Sequence, residues 1–305
     1  MHGLPGHDET IRHLMQWAAG QDNVRAMLLT STRAIPGGKV DAYSDYDINL
    51  IVRDIQPFLA DRTWIETFGD VLVAYWDPVE VDPETGCRQS GNVIQYVDGG
   101  KIDFRLWPVE MLEAISRQPT LPAELDAGYR VLLDKDSLTA SLRPPTSTGY
   151  TLSRPGEGTY LTLVNDFFVG VPYVAKCLLR DEILPAKWCL DYDMRYVYLV
   201  PMLEWWAAID CDWSIAPGIN GKGLKRYLPA GIWAELESTY AGTNVADNWE
   251  SLFRMIALFR RIGREVAASL GYAYPEDFDS RVTDHARRMQ CGEFGRPGDV
   301  GGGVL

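Results

Sequence analysis

Between Glu9 and Ala19, apolar residues recur at helical spacing (Ile11, Leu14, Met15, Ala18, Ala19), and Asp8 or Thr10 can cap the start, so the pattern predicts a first helix. Residues 24–29 then run apolar. After a loop containing Pro36, Gly37 and Gly38 the period changes to two, with Tyr46, Ile48, Leu50 and Val52 alternating with Asp47, Asn49 and Ile51. Two strands joined by a turn-rich loop are expected. Residues 60–68 read as a helix, and residues 71–76, 92–97 and 101–107 as three further strands, with Asp98-Gly99-Gly100 as a hairpin turn between the last two. A helix over 108–116 and a short strand over 130–134 complete an α/β unit with a mixed sheet.

The pattern changes at Pro144-Pro145-Thr146-Ser147-Thr148-Gly149, a turn-rich stretch without periodicity. Beyond it strand signals nearly vanish. Residues 160–180, 186–208, 231–240 and 248–270 read as helices, several of them apolar on more than one face, as in a bundle. The predicted class is α+β: a mixed-sheet domain over 1–145, a helical domain over 150–290, and a flexible Gly-rich tail over 291–305.

Composition narrows the functional classes. The chain has 305 residues, with 29 Lys plus Arg against 42 Asp plus Glu, a formal charge of 29 − 42 = −13. Such a surface disfavours non-specific nucleic-acid binding, which needs basic side chains to replace counterions, and suits a cationic small molecule. Uninterrupted apolar runs such as residues 71–76 are far shorter than the roughly 20 residues that cross a bilayer, so no membrane partner is predicted. His2, His7, Asp8 and Glu9 near the start do not resemble a secretory signal, which points to the cytoplasm. Five cysteines without a CxxC pair read as reduced thiols, and only four histidines weaken any Ser-His or Cys-His hydrolase reading. Chemistry is expected to rest on carboxylates.

The most informative segment is residues 28–52, LLTSTRAIPGGKVDAYSDYDINLIV. Asp45 and Asp47, two apart at the start of a strand, can point to one face. Like charges held that close are costly without a cation between them, and hard Mg²⁺ prefers such oxygen ligands. Asp103, on the later strand, could add a third ligand. Three carboxylates opposite a hydroxyl-bearing turn that cradles phosphates suit in-line displacement at phosphorus. The structural alternative is that Asp45 caps a turn while Asp47 pairs with an Arg.

Ser31-Thr32-Arg33 followed by Asp45-Tyr46-Asp47, with a downstream Ile-Asp-Phe strand at 102–104, resembles the nucleotidyltransferase superfamily, and within it the aminoglycoside 6-adenylyltransferases (streptomycin adenylyltransferases). The resemblance continues through Phe68-Gly69-Asp70, Tyr173-Val174-Ala175-Lys176, residues 179–184, Ala186-Lys187, Met202-Leu203-Glu204-Trp205 and residues 221–225. One departure stands out: Ser31 takes the place of the family's Gly, and Thr32 that of its Ser. Glycine there lets the backbone approach phosphates closely. The resemblance implies ATP and Mg²⁺ as co-substrate and cofactor, with AMP transferred to a hydroxyl of a streptomycin-type aminoglycoside and pyrophosphate released, giving antibiotic resistance. It implies that Asp45 and Asp47 hold both metals, that Asp103 holds the metal activating the acceptor, and that Ser31, Thr32 and Arg33 contact the triphosphate.

In the helical domain, Lys176 and Arg180 share a helix face and, with Lys187, could reach the β- and γ-phosphates; the alternative is a solvated basic stripe. Asp166, Glu182, Glu204 and Trp205 are candidates for the acceptor pocket, since a polycationic sugar calls for carboxylates and aromatic walls. Most of the neighbouring aromatics are expected to be helix-packing core. Asp166 is the first choice of general base, with Glu182 as substitute. A same-fold enzyme acting on another hydroxyl, and a nucleotide- or drug-binding homologue without catalysis, are the competing readings. A monomer or a homodimer fits equally.

Overall fold

A computed structural model describes residues 7–35 and 37–294. The chain divides between Tyr150 and Thr151 into two compact units.

The first unit is a seven-stranded mixed sheet of order β3-β5-β6-β2-β1-β7, with β4 paired to β5. Its strands are β1 (Val24–Thr30), β2 (Tyr46–Val52), β3 (Val71–Trp76), β4 (Glu80–Val81), β5 (Arg88–Tyr96), β6 (Lys101–Pro108) and β7 (Arg130–Asp134). Among the described strands β2 and β6 run parallel, and the other pairs are antiparallel. Alternation sends Tyr46, Ile48, Leu50 and Val52 of β2, with Ile102, Phe104 and Leu106 of β6, into one core beneath α1 (His7–Gly20) and α2 (Gln56–Ala60). Ile51 and Trp107 enter a second, smaller core on the other face under α3 (Val109–Arg117) and α4 (Ala123–Asp126). A sheet covered on both faces buries both sets of side chains, which is why Asn49, expected on a polar face, is only 2% exposed.

Of residues 60–68, expected as one helix, Ala60 ends α2 and Thr63–Phe68 form a separate 3-10 turn. The Asp61 carboxylate accepts the Thr63 amide at 3.0 Å and hydroxyl at 2.7 Å, and this local capture breaks the helix. The two-residue β4 has too few positions to show a period. The hairpin at 98–100 forms as expected, with Gly99 at φ +89° and the Gly100 amide donating to Asp98 Oδ1 at 2.9 Å.

The second unit is helical: α5 (Glu157–Leu179), α6 (Ile183–Lys187), a π-helical stretch (Trp188–Leu199), α7 (Val200–Asp210), α8 (Ala230–Ser238), α9 (Val245–Leu270) and α10 (Glu276–Gln290). The predicted helix over 186–208 is thus three pieces. Pro201 removes the N–H that would bond the Val197 carbonyl in an α-helix, and the turns before it widen. In that stretch Lys187, Asp191 and Arg195 form a ladder: Asp191 pairs with Lys187 at 2.8 Å and with Arg195 at 2.5 Å. The fully buried Arg195 also donates to the Thr239 carbonyl and lies over the Tyr240 ring. Helix α10 was not read from the sequence because its surface is largely polar; buried Asp279 pins it by accepting from Arg260 of α9, Tyr274 and Thr283. By length and a mean hydropathy of 1.3, α5 could cross a membrane. Here its Tyr160, Val164, Phe167, Phe168 and Val171 lie in the helical core. Of the predicted tail, residues 291–294 form a turn and 295–305 lie outside the described residues.

Candidate active site

The β-ladder brings the predicted acids together. In register, Thr30 of β1 faces Asp47 of β2, and Asp47 faces Asp103 of β6, so three adjacent strands meet at one rung. Asp45 lies immediately before β2, close enough for its charge to act on both other acids. Lys101, one alternation before Asp103 on the same strand face, places its ammonium 2.5 Å from Asp45 Oδ2 and 2.8 Å from Asp103 Oδ2.

The electrostatics follow from crowding in a half-buried place. Burial, then the charge of Asp103, pushes the Asp47 carboxyl up to about 6, against opposing help from the Ser31 hydroxyl and Lys101. Asp103 is also raised, because burial and Asp45 outweigh its ion pair with Lys101. Burial pulls the Lys101 ammonium down, and its hydrogen bonds to Asp103 and Asp45 more than reverse this, leaving it raised.

These residues fit Mg²⁺ by donor chemistry: three hard oxygen ligands, a cation already held against two of them, and Asp103 Oδ1 buried without a hydrogen-bond partner. As they stand, no three carboxylate, thiol or imidazole groups among the described residues converge as a metal site. The Lys101 ammonium lies against both Asp45 and Asp103, so a metal held by these two acids would compete with it.

The turn after β1 is a single 3-10 turn, Ser31–Arg33. Ser31 has φ +58°, the left-handed region that glycine occupies most readily, and its hydroxyl stands near enough to the Asp47 carboxylate to favour its charged form. Thr32 is half-buried, and its carbonyl packs so close to Gly38 that a Cβ there would lie 2.2 Å from it. Arg33 donates to the Asp45 carbonyl at 2.8 Å and the Ser44 carbonyl at 2.6 Å, and its guanidinium lies 3.9 Å over the Tyr46 ring. Arg33 thus fastens the approach to β2, a role the motif alone did not reveal.

One rung beyond the acids, Asn49 of β2 is the register partner of Arg105 of β6. Both reach Glu124 of α4: the Asn49 amide donates at 3.3 Å and the Arg105 guanidinium lies at 3.6 Å. Arg105, Trp107, Glu124, Glu84 and Tyr150 line a cleft of about 330 Å³. Sequence reasoning missed these residues. Alternation marks Arg105 as sharing the Asp103 face, whereas Glu124 comes from a helix that no strand pattern ties to the site.

The helical-unit candidates are not gathered in the same way. Lys176 and Arg180 are exposed at the end of α5. Lys187 is tied to Asp191 and, at 2.7 Å, to the Ala241 carbonyl. Asp166 on α5 is half-buried and accepts from Asn165 at 3.1 Å; Glu182 is exposed at the start of α6. Glu204 on α7 is half-buried, and burial pushes its carboxyl up to about 7. Trp205 packs against the helical core. Among the described residues no hydrogen bond links Asp166, Glu182 and Glu204.

A mixed sheet with an Asp-x-Asp pair at the start of one strand, a third Asp in register beside it and a hydroxyl-bearing turn opposite has the arrangement expected of a nucleotidyltransferase. The chain belongs to the streptomycin adenylyltransferase family, which it matches over residues 6–289. It is similar to the aminoglycoside 6-adenylyltransferase of Bacillus subtilis (strain 168), 31% identical over 289 residues that cover 94% of this chain and 99% of that one. It is also similar to the aminoglycoside 6-adenylyltransferase of Campylobacter jejuni, 29% identical over 280 residues covering 91% and 93%. Among solved structures, an aminoglycoside 6-adenyltransferase from Bacillus subtilis shares 29% identity, covers 93% of this chain and 98% of its own, and gives a TM-score of 0.46.

Proposed function

We propose that the protein transfers AMP from ATP, with Mg²⁺, to a hydroxyl of a streptomycin-type aminoglycoside, releasing pyrophosphate and conferring resistance. The observation that carries this is the single rung Thr30–Asp47–Asp103 with Asp45 beside it. When bound by Asp45, Asp47 and Asp103, Mg²⁺ supplies positive charge for the phosphorus oxygens and acidifies the acceptor hydroxyl.

The acceptor oxygen forms a bond to the α-phosphorus as the bond from that phosphorus to the bridging oxygen breaks. The pyrophosphate leaves with that electron pair. The hydroxyl proton passes to a carboxylate, with Asp166 proposed as base and Glu182 as its substitute. Ser31 and Thr32 offer backbone and hydroxyl groups to the triphosphate, while Arg33 holds the Asp45 segment in place. Exposed Lys176 and Arg180 neutralise the β- and γ-phosphates, while Lys187, held by Asp191 and the Ala241 carbonyl, reaches them only if released from those partners. Glu204 and Trp205 receive part of the cationic acceptor: a half-buried carboxylate held near neutrality by burial gains most from a cationic partner.

The test is incubation with ATP, Mg²⁺ and an aminoglycoside panel, read by product mass and pyrophosphate release. Addition of one AMP to streptomycin, lost by at least about a thousandfold in Asp47→Asn and Asp103→Asn, is the expected result. No adduct with any aminoglycoside overturns the reading.

A further inference from the structure

We propose that the cleft formed by Glu124, Glu84, Arg105, Trp107 and Tyr150 in the catalytic unit seats an amino or guanidino group of the acceptor, so that part of acceptor recognition lies beside the acids themselves. This rests on the aminoglycoside reading above.

Position is the first argument. The turn at Ser31, proposed above to meet the triphosphate, follows β1 on one side of Asp47, whereas Asp103 and the cleft lie toward β6 and β5 on the other. In-line displacement requires the leaving pyrophosphate and the attacking hydroxyl on opposite sides of phosphorus, so the acceptor belongs on the cleft side. Arg105 and Trp107 stand one and two rungs along β6 from Asp103, roughly 7 and 13 Å at about 3.3 Å per residue. That is the reach of one to two linked sugar rings whose hydroxyl lies at the acids.

Chemistry is the second argument. Glu124 is sequestered enough that burial, with the nearby charge of Asp82 added, raises its carboxyl. Among the described residues its one ionic partner is Arg105, at 3.6 Å and half-exposed, which leaves a carboxylate under-compensated for its burial. Glu84 is exposed at the rim. The Trp107 indole is fixed by its donation to Gln89 at 3.1 Å, and Tyr150 stands within the electrostatic reach of both Glu124 and Asp47. Trp107 is 2% exposed and floors the cleft, so the half-exposed Tyr150 is the ring open to a sugar face; a cation against carboxylates beside one such ring is what this surface accommodates.

Calorimetric titration of streptomycin and a wider aminoglycoside set into wild type, Glu124→Gln and Glu84→Gln tests it, with a non-hydrolysable ATP analogue plus Mg²⁺ titrated in parallel. Expected are aminoglycoside affinities about tenfold weaker in Glu124→Gln and about threefold weaker in Glu84→Gln, with analogue affinity unchanged. Glu84 lies at the rim, so its variant reports on the cleft even where Glu124→Gln disturbs Asn49 beneath. Wild-type binding that is unchanged in both variants overturns the cleft alone, as does weakening of the nucleotide analogue instead. A wild type that binds no aminoglycoside overturns the acceptor reading and the cleft with it.

Discussion

Lys101 and Asp103, two residues apart on β6, project from one strand face, and the ammonium of the first lies 2.8 Å from the carboxylate of the second. The same ammonium reaches Asp45, so this lysine is the internal counter-ion of the acid cluster. Lys101→Met removes a competitor for added cation and leaves three acids repelling one another. Mn²⁺ titration is expected to show about tenfold tighter binding than wild type, and chelator-treated variant should lose on the order of 1 kcal/mol of stability. Equal Mn²⁺ affinities would show that ammonium and metal do not compete.

Ser31 combines a left-handed backbone with a hydroxyl that favours the charged form of Asp47. Both Ser31→Ala and Ser31→Gly lose the hydroxyl, but Ser31→Ala keeps the backbone strain and Ser31→Gly relieves it. Denaturant unfolding should therefore find Ser31→Gly more stable than Ser31→Ala by about 1 kcal/mol. Equal stabilities would mean that residue 31 carries no strain.

Glu204 gives the fold a pH dependence. Its carboxyl stands at about 7 in the folded chain against an ordinary value near 4.5, because burial disfavours the charge. The folded state therefore binds the proton more tightly than the unfolded state. Stability from this group is full below about pH 4.5 and is lost as pH rises through 7. Glu204→Gln should be more stable than wild type at pH 8, by on the order of 2 kcal/mol, and gain little at pH 4.5. A gain independent of pH in paired melts would exclude this cause.

Asn92, on β5 between Phe104 and Trp76, is 2% exposed, and neither its amide nitrogen nor its oxygen has a hydrogen-bond partner. Two buried polar atoms without partners cost more than an apolar side chain of similar size. Asn92→Val, β-branched and at home in a strand, is expected to raise stability by about 1–2 kcal/mol in urea titration. Destabilisation of that size would mean that the amide is satisfied in solution.

The sheet was legible because alternation is a local signal: residues 46–52 and 101–107 show a period of two, and that same period places Asp47 and Asp103 on matching faces. What it does not contain is pairing. That β2 and β6 run parallel, with Asp47 beside Asp103, depends on crossovers no window of sequence spans. Glu124 illustrates the limit, meeting Asn49 from 75 residues away. Helix types were also hidden: Asp61 stops α2 through its side chain, and the widened turns before Pro201 have the same apolar content as an α-helix. Lys187 shows how a basic residue at plausible spacing can be committed elsewhere, here to Asp191 and the Ala241 carbonyl.

The Arg33 guanidinium is divided between the carbonyls of Ser44 and Asp45 and the face of Tyr46. A guanidinium has a fixed fan of donors, so an anion that draws it away loosens the segment that presents the Asp45 carboxylate. Anything occupying the turn after β1 and anything occupying the acid cluster are then thermodynamically linked through one side chain. Each changes the affinity for the other by the same factor.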